Sequence, residues 1–276
     1  LNFILKNDQA HILRVRRYIM CDLFGLSCNE EDRATKSLPK FAHQFGTEDS
    51  GNNNGWGIAY FDKTKSNKGI VERASDGSEF EAAKSKEFFE VVDEALSTNI
   101  IAHVRNASPG TGVCGLNCHP FPYHYHGRDW IFAHNGYTPN GFDRHPDAKG
   151  TTDSETIFLY MMEYVDEHMR RGRIHGLYPA MKKAVKRILD DYPGIKLNFL
   201  MSDGNMYYVF SHYYRQPPCN ASRPKPMYIQ RNLKGYGNAI LLSTQDFGDG
   251  NWEKIPEDTL LVLNCGEVIV RSNPLL

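Results

Sequence analysis

The sequence predicts an α+β protein in which two sheets carry helices on their outer faces. Three observations predict it. Two helical patterns lie together in the middle of the chain, near 152–165 and 177–188, with strand patterns before and after them. The first strand run, 21–28 (CDLFGLSC), is apolar enough to be buried. No linker divides the 276 residues into separate domains.

The elements follow in order. Asn52-Asn53-Asn54-Gly55 is a turn signal leading into a strand over Trp56–Phe61, with 69–74 as its partner. Residues 82–97 read as a helix, since Phe88, Val91, Val92 and Leu96 fall at helical spacing. Strands are expected over 99–105 and 129–134, each ending near polar residues. Thr152-x-x-Glu155 is a capping box opening a helix, whose Ile157, Met161, Tyr164 and Val165 form one face. Leu177, Met181, Val185 and Ile188 align on a second helix. Strands are then expected over 197–202, 206–213, 239–244, 259–264 and 267–271, with 215–226 as a long loop.

Composition narrows the function. Net charge is −1 with 24% charged residues of both signs interspersed, which argues for neither a nucleic-acid nor a membrane partner. No apolar run reaches the ~18 residues that span a bilayer. Six cysteines in a chain of this length do not suggest a disulfide framework, so a reducing, cytoplasmic setting is expected.

Cys21 follows Met20 directly. Were it the first residue of a mature chain, its α-amine, with an ordinary pKa near ~8, could accept the thiol proton. One residue would then supply both nucleophile and base. Leu1–Ile19 does not resemble a secretory signal: Lys6, Asn7, Asp8, Gln9 and His11 interrupt it, and Arg14, Arg16 and Arg17 come late. Two readings stay open. Either Met20 is the start and residues 1–19 are upstream sequence, or they are a propeptide that is cut off. The uncut chain has no free amine at Cys21 and is expected to be inactive.

Four other segments could carry chemistry. Arg105 ends a strand, where an arginine can grip a carboxylate with two parallel hydrogen bonds, although most strand-end arginines are surface residues. Asn117-Cys118-His119-Pro120-Phe121 holds a histidine that could be catalytic, a ligand or a structural support. With Cys114, His124 and His126 nearby a zinc site comes into view, but no second Cys pair or His-x₃-His completes it, and no metal is expected. Asn135-Gly136 is a turn signal that could also set a side-chain amide beside a backbone N–H, as a tetrahedral oxyanion requires. Thr152-Asp153-Ser154-Glu155 caps a helix, and Asp153 could bind an ammonium group. Together these are the parts needed to handle the side-chain amide of an α-amino acid.

The chain resembles the class II glutamine amidotransferases, N-terminal-nucleophile (Ntn) hydrolases with a catalytic first cysteine. The resemblance covers 20–271 and rests on Met20–Gly25, Asn54–Gly57, Ala102–Arg105, Asn117–Phe121, Ala133–Gly136 and Thr152–Glu155. Leu200–Gly204, and Ser243–Gln245 leading to Trp252, resemble the stand-alone members of the family. The resemblance implies a four-layer αββα sandwich of two mainly antiparallel sheets, with 20–276 as one amidotransferase domain. It implies that Cys21 is nucleophile and, through its amine, base. Arg105 would bind the glutamine α-carboxylate and Asp153 the α-ammonium. Asn135 and Gly136 would form the oxyanion hole. Trp56 and Gly57 would shape the pocket floor, and Cys118 would be a buried, inert thiol. No cofactor is implied. The expected reaction is glutamine hydrolysis through a γ-glutamyl thioester, with ammonia passing to water or to a separate synthase subunit. Two alternatives remain: the substrate is another γ-glutamyl amide or peptide, as in glutathione-related compounds, or the protein is a catalytically dormant regulatory subunit.

Overall fold

The computed structural model describes residues 21–75, 80–108, 110–138, 143–170, 176–213, 225–233 and 235–276. The expected leader, 1–19, and most of the expected loop over 215–226 lie outside them. In chain order the first half contains β1 (Asp22–Asp32), α1 (Leu38–Phe45), β2 (Trp56–Asp62), β3 (Lys68–Ala74), α2 (Lys86–Glu94), β4 (Ser97–Val104), β5 (Phe121–Tyr125) and β6 (Arg128–Tyr137). Then come α3 (Asp153–Arg170), α4 (Leu177–Asp191), β7 (Lys196–Ser202), β8 (Tyr207–Ser211) and β9 (Tyr228–Gln230). The chain closes with β10 (Ala239–Ser243), β11 (Trp252–Lys254), β12 (Thr259–Asn264) and β13 (Glu267–Arg271).

The strands form two antiparallel sheets. One runs β11-β9-β10-β1-β4-β2-β3 and the other β13-β12-β8-β7-β6-β5. Every strand has two faces, and in the central strands both are buried. In β1, Leu23 points between the sheets, where it meets Ile101, Ile131, Ala133 and Leu200. Its neighbours Phe24 and Leu26 point the other way, against Phe41 and Phe45 of α1 and Phe88 of α2. On the far side α3 and α4 cover the second sheet, with Phe158 of α3 stacked on Phe132 of β6 at 4.8 Å. Each such buried ring contributes roughly 1.5–3 kcal/mol. The result is the four-layer αββα sandwich that the resemblance implies, with the two sheets and outer helices that the element order predicts. No described helix is long and apolar enough to cross a membrane.

The differences from expectation have local causes. The helix predicted over 82–97 is a 3₁₀ turn at Ala82–Lys84 followed by α2. Ser85 caps α2, its Oγ accepting from Phe88 N at 3.2 Å, and Ser97 already belongs to β4. Helix α1 carries Pro39 in its first turn, where no N–H is needed, so the proline starts the helix rather than breaking it. Strand β5 contains Pro122 and lies at a sheet edge, the place where a strand tolerates proline. β9 and β11 have three residues each, too few to show a period.

Candidate active site

The start of β1 and the end of β4 lie side by side, with Asp22 opposite Val104. Cys21 and Arg105 therefore emerge together at one edge of the layer between the sheets. The Cys21 thiol donates to the carbonyl of Asn106 at 3.2 Å and accepts from the Asn106 N–H at 3.2 Å. From the second sheet, Asn135 on β6 donates its side-chain amide to the Cys21 carbonyl. Gly136 follows. A Cβ there would lie 2.0 Å from the Lys196 carbonyl oxygen and 2.1 Å from His134 Nε2, so no side chain fits.

Arg105 is only 3% exposed. Its Nη2 donates to the Gly112 carbonyl at 3.0 Å and to Thr111 Oγ1 at 3.4 Å, while Nη1 has no partner among the described residues. Two asparagine-containing segments hold this arginine. Asn54 N donates to the Arg105 carbonyl (3.0 Å), Arg105 N donates to the Gly55 carbonyl (2.8 Å), and Asn54 Oδ1 accepts from Ala107 N (2.9 Å). Asn117 Nδ2 donates to the Gly112 carbonyl at 2.8 Å and its Oδ1 accepts from Thr151 N at 2.7 Å, joining the arginine loop to the start of α3. The turn signal at 52–55 thus braces the site, a role that its composition alone does not reveal.

Asp153 opens α3. Its Oδ2 accepts from Thr138 N (3.2 Å) and Thr138 Oγ1 (2.7 Å), two residues beyond Gly136. Thr152 Oγ1 accepts from Glu155 N at 3.4 Å, as a cap should. The reciprocal half of the expected capping box is absent: Glu155 accepts instead from Gly150 N (2.6 Å) and Lys149 N (3.1 Å), fastening the preceding turn. The structure thus bonds Asn135 directly to Cys21, sets Arg105 next to the residue that holds the thiol, and ties Asp153 to the strand that carries Asn135 and Gly136.

Trp56 does not line this site. It packs against Phe88 (5.2 Å) and Phe80 (6.1 Å) in the outer core beside α2. Successive strand residues face opposite sides, so Gly57 alone turns inward, where a Cβ would lie 2.1 Å from the His119 carbonyl oxygen. Cys118 is buried, its thiol donating to the carbonyls of Cys114 (3.6 Å) and Ala74 (3.8 Å), and burial pushes its pKa up. His124 turns to Asp129 instead, at 2.8 Å.

Two residues that sequence reasoning missed complete the site. Asp22 is 1% exposed, and its carboxylate accepts from Asn52 Nδ2 (2.9 Å), Thr244 Oγ1 (2.7 Å) and Gln245 Nε2 (2.9 Å). Lys225 Nζ completes that shell at 2.7 Å and also donates to the Cys21 carbonyl at 3.0 Å. Asp22 stands in the Cys21–Gly25 segment but reads as strand.

Burial pushes the Cys21 thiol up from its ordinary value, opposed by the Asn106 hydrogen bond and the charges of Lys225 and Arg105. Three histidines are buried nearby. His103 and His119 lie with ring centroids 4.3 Å apart, and none of their ring nitrogens has a partner among the described residues. His134 is held between Ser154 Oγ (2.9 Å) and the Lys196 carbonyl (2.9 Å). Burial holds all three below the usual imidazole range, those of His103 and His119 well below it. A histidine with a depressed folded-state pKa stabilises the fold fully above its unfolded value of ~6.5, and that stability is lost as pH falls through the folded value. Each can cost up to ~1.4 kcal/mol per pH unit below ~6.5. Urea unfolding is therefore expected to show stability dropping steeply from pH ~6.5 toward 5. A flat profile over that range would contradict neutral burial of these rings.

A family model described as class-II glutamine amidotransferases matches residues 20–274. A Haemophilus influenzae protein named provisionally as a glutamine amidotransferase is 29% identical over 218 residues, covering 73% of this chain and 70% of that protein. The crystal structure of a predicted glutamine amidotransferase from Pseudomonas aeruginosa superposes with a TM-score of 0.58 at 21% identity, covering 91% of this chain and 100% of that one. Glutamine phosphoribosylpyrophosphate amidotransferase from Bacillus subtilis gives a TM-score of 0.56 at 14% identity, covering 88% of this chain and 47% of that one.

Proposed function

Since the chain belongs to the class II glutamine amidotransferases, we propose that it releases ammonia from glutamine with Cys21 as an N-terminal nucleophile. The observation that carries this reading is Arg105 Nη1, a buried cationic donor that has no partner among the described residues and lies beside the cysteine. Leaving such a donor unsatisfied is costly, and a substrate carboxylate would satisfy it.

The active form begins at Cys21, whatever removes or omits the residues before it. Its α-amine takes the thiol proton, which matters because burial leaves little thiolate at neutral pH. The sulfur attacks the δ-carbon of glutamine. The oxyanion is held by the Gly136 N–H and by Asn135, whose amide has a second N–H besides the one given to the Cys21 carbonyl. Arg105 grips the α-carboxylate. The Asp153 carboxylate, with lone pairs beyond those used by Thr138, holds the α-ammonium. As the tetrahedral intermediate collapses the protonated amine gives its proton to the leaving nitrogen, and ammonia departs. Water then cleaves the γ-glutamyl thioester to glutamate and the free thiol. No metal or organic cofactor enters this scheme. A reducing cytoplasm suits a catalytic thiol, and the ammonia goes to water or to a separate synthase subunit.

Acid quenching during turnover, followed by intact mass and peptide mapping, tests the scheme. A γ-glutamyl adduct on the Cys21 peptide is expected; an adduct on another residue would overturn the assignment.

A further inference from the structure

Lys225 reaches the site from a part of the chain 204 residues away. It lies outside the motifs that carry the family resemblance. Its Nζ touches two groups of the nucleophile's own segment: the Cys21 carbonyl at 3.0 Å and the buried Asp22 carboxylate at 2.7 Å. Its backbone is fixed as well, since the Lys225 carbonyl accepts from Asn198 Nδ2 at 2.6 Å. Asn198 on β7 stands directly opposite Asn135 on β6, so the two residues that hold the Cys21 carbonyl are braced by one strand pair. The lysine side chain is 16% exposed, which shields its charge only partly from water.

We infer that Lys225 is a positioning residue for the proposed reaction, fixing the Cys21 backbone and supplying the positive charge that keeps the thiol reactive beside the Asp22 carboxylate. The inference rests on Cys21 being the nucleophile. Among the described residues, the charged groups facing the thiol are Asp22 from β1, Arg105 from the end of β4 and Lys225 from the segment before β9. Asp22 disfavours the thiolate, while Lys225 and Arg105 favour it. Arg105 is committed in part to the Gly112 carbonyl and would be neutralised further by a substrate carboxylate. Once substrate is bound, Lys225 is then, among the described residues, the positive charge left to offset both Asp22 and the developing thiolate. Asp22 and Lys225 also make a closed pair, so the carboxylate gains a partner without surrendering its contacts to Asn52, Thr244 and Gln245.

The test measures the rate at which iodoacetamide alkylates Cys21 in the full chain as a function of pH. The Cys21 peptide is followed by mass spectrometry, because other free thiols are present. This readout needs no turnover, so it stands or falls apart from the glutamine reaction. Lys225→Met is expected to move the alkylation midpoint up by about one pH unit, slowing labelling roughly tenfold at neutral pH, and Lys225→Arg to leave it near wild type. Lys225→Met strands Asp22 and can unfold the protein, so Asp22→Asn is compared with Asp22→Asn/Lys225→Met as well. A higher midpoint in the double variant than in Asp22→Asn supports a direct effect on the thiol. Equal midpoints in that pair would show that Lys225 only neutralises Asp22, and would overturn the inference.

Discussion

Asn135→Ala in protein beginning at Cys21 is expected to lower kcat for glutamine hydrolysis by about 10²–10³-fold while changing KM little. The split follows from timing. The amide of Asn135 gains its strongest interaction as negative charge develops on the glutamine carbonyl oxygen, whereas Arg105 and Asp153 hold the ends of the ground-state substrate. The same substitution removes one of the two donors to the Cys21 carbonyl, leaving Lys225 as the other. Circular dichroism and urea unfolding identify any loss of fold. A folded variant that retains kcat within threefold would remove Asn135 from the oxyanion site.

Asp22→Ala is expected to cost about 3–5 kcal/mol of folding stability, read as a lower urea midpoint. The carboxylate is buried and serves four donors from three parts of the chain: Asn52 after α1, Thr244 and Gln245 after β10, and Lys225 before β9. Removing it leaves a largely buried ammonium without its counter-charge and neutral donors without an acceptor. Asp22→Asn keeps the shape and one acceptor oxygen, so it is expected to lose less. If Asp22→Ala unfolds at the wild-type midpoint, the network is ornamental and water replaces it.

Long periodic segments were legible because burial on one helix face leaves a pattern. α3 and α4 appear where Ile157, Met161 and Val165, and Met181, Val185 and Ile188, predict them. The short elements were not. Three-residue strands show no period, and Pro39 marks a helix start only once the turn after it is known. At the site, Cys21 and Arg105 flank strand ends and Asp153 starts a helix, where an unusual residue type shows; Asn135-Gly136 stands out as a turn signal, yet the structure runs β6 on through it to Tyr137, paired with Asn198 and Leu197 of β7. Lys225 carries no such mark: it is one lysine in a Pro- and Arg-containing stretch, and only the tertiary fold brings it to Cys21. Trp56 was misplaced for a reason of geometry. It and Gly57 are adjacent on one strand, so they point to opposite layers and only one can face the site.

The most direct measurement is production of ammonia and glutamate from glutamine by protein whose first residue is Cys21, compared with the same protein carrying Cys21→Ala and with protein retaining Met20. Equal molar amounts of the two products from the first protein, with loss of turnover in both others, is the outcome that an N-terminal thiol with its own amine as base requires. Turnover in the Cys21→Ala protein that matches the parent would contradict it.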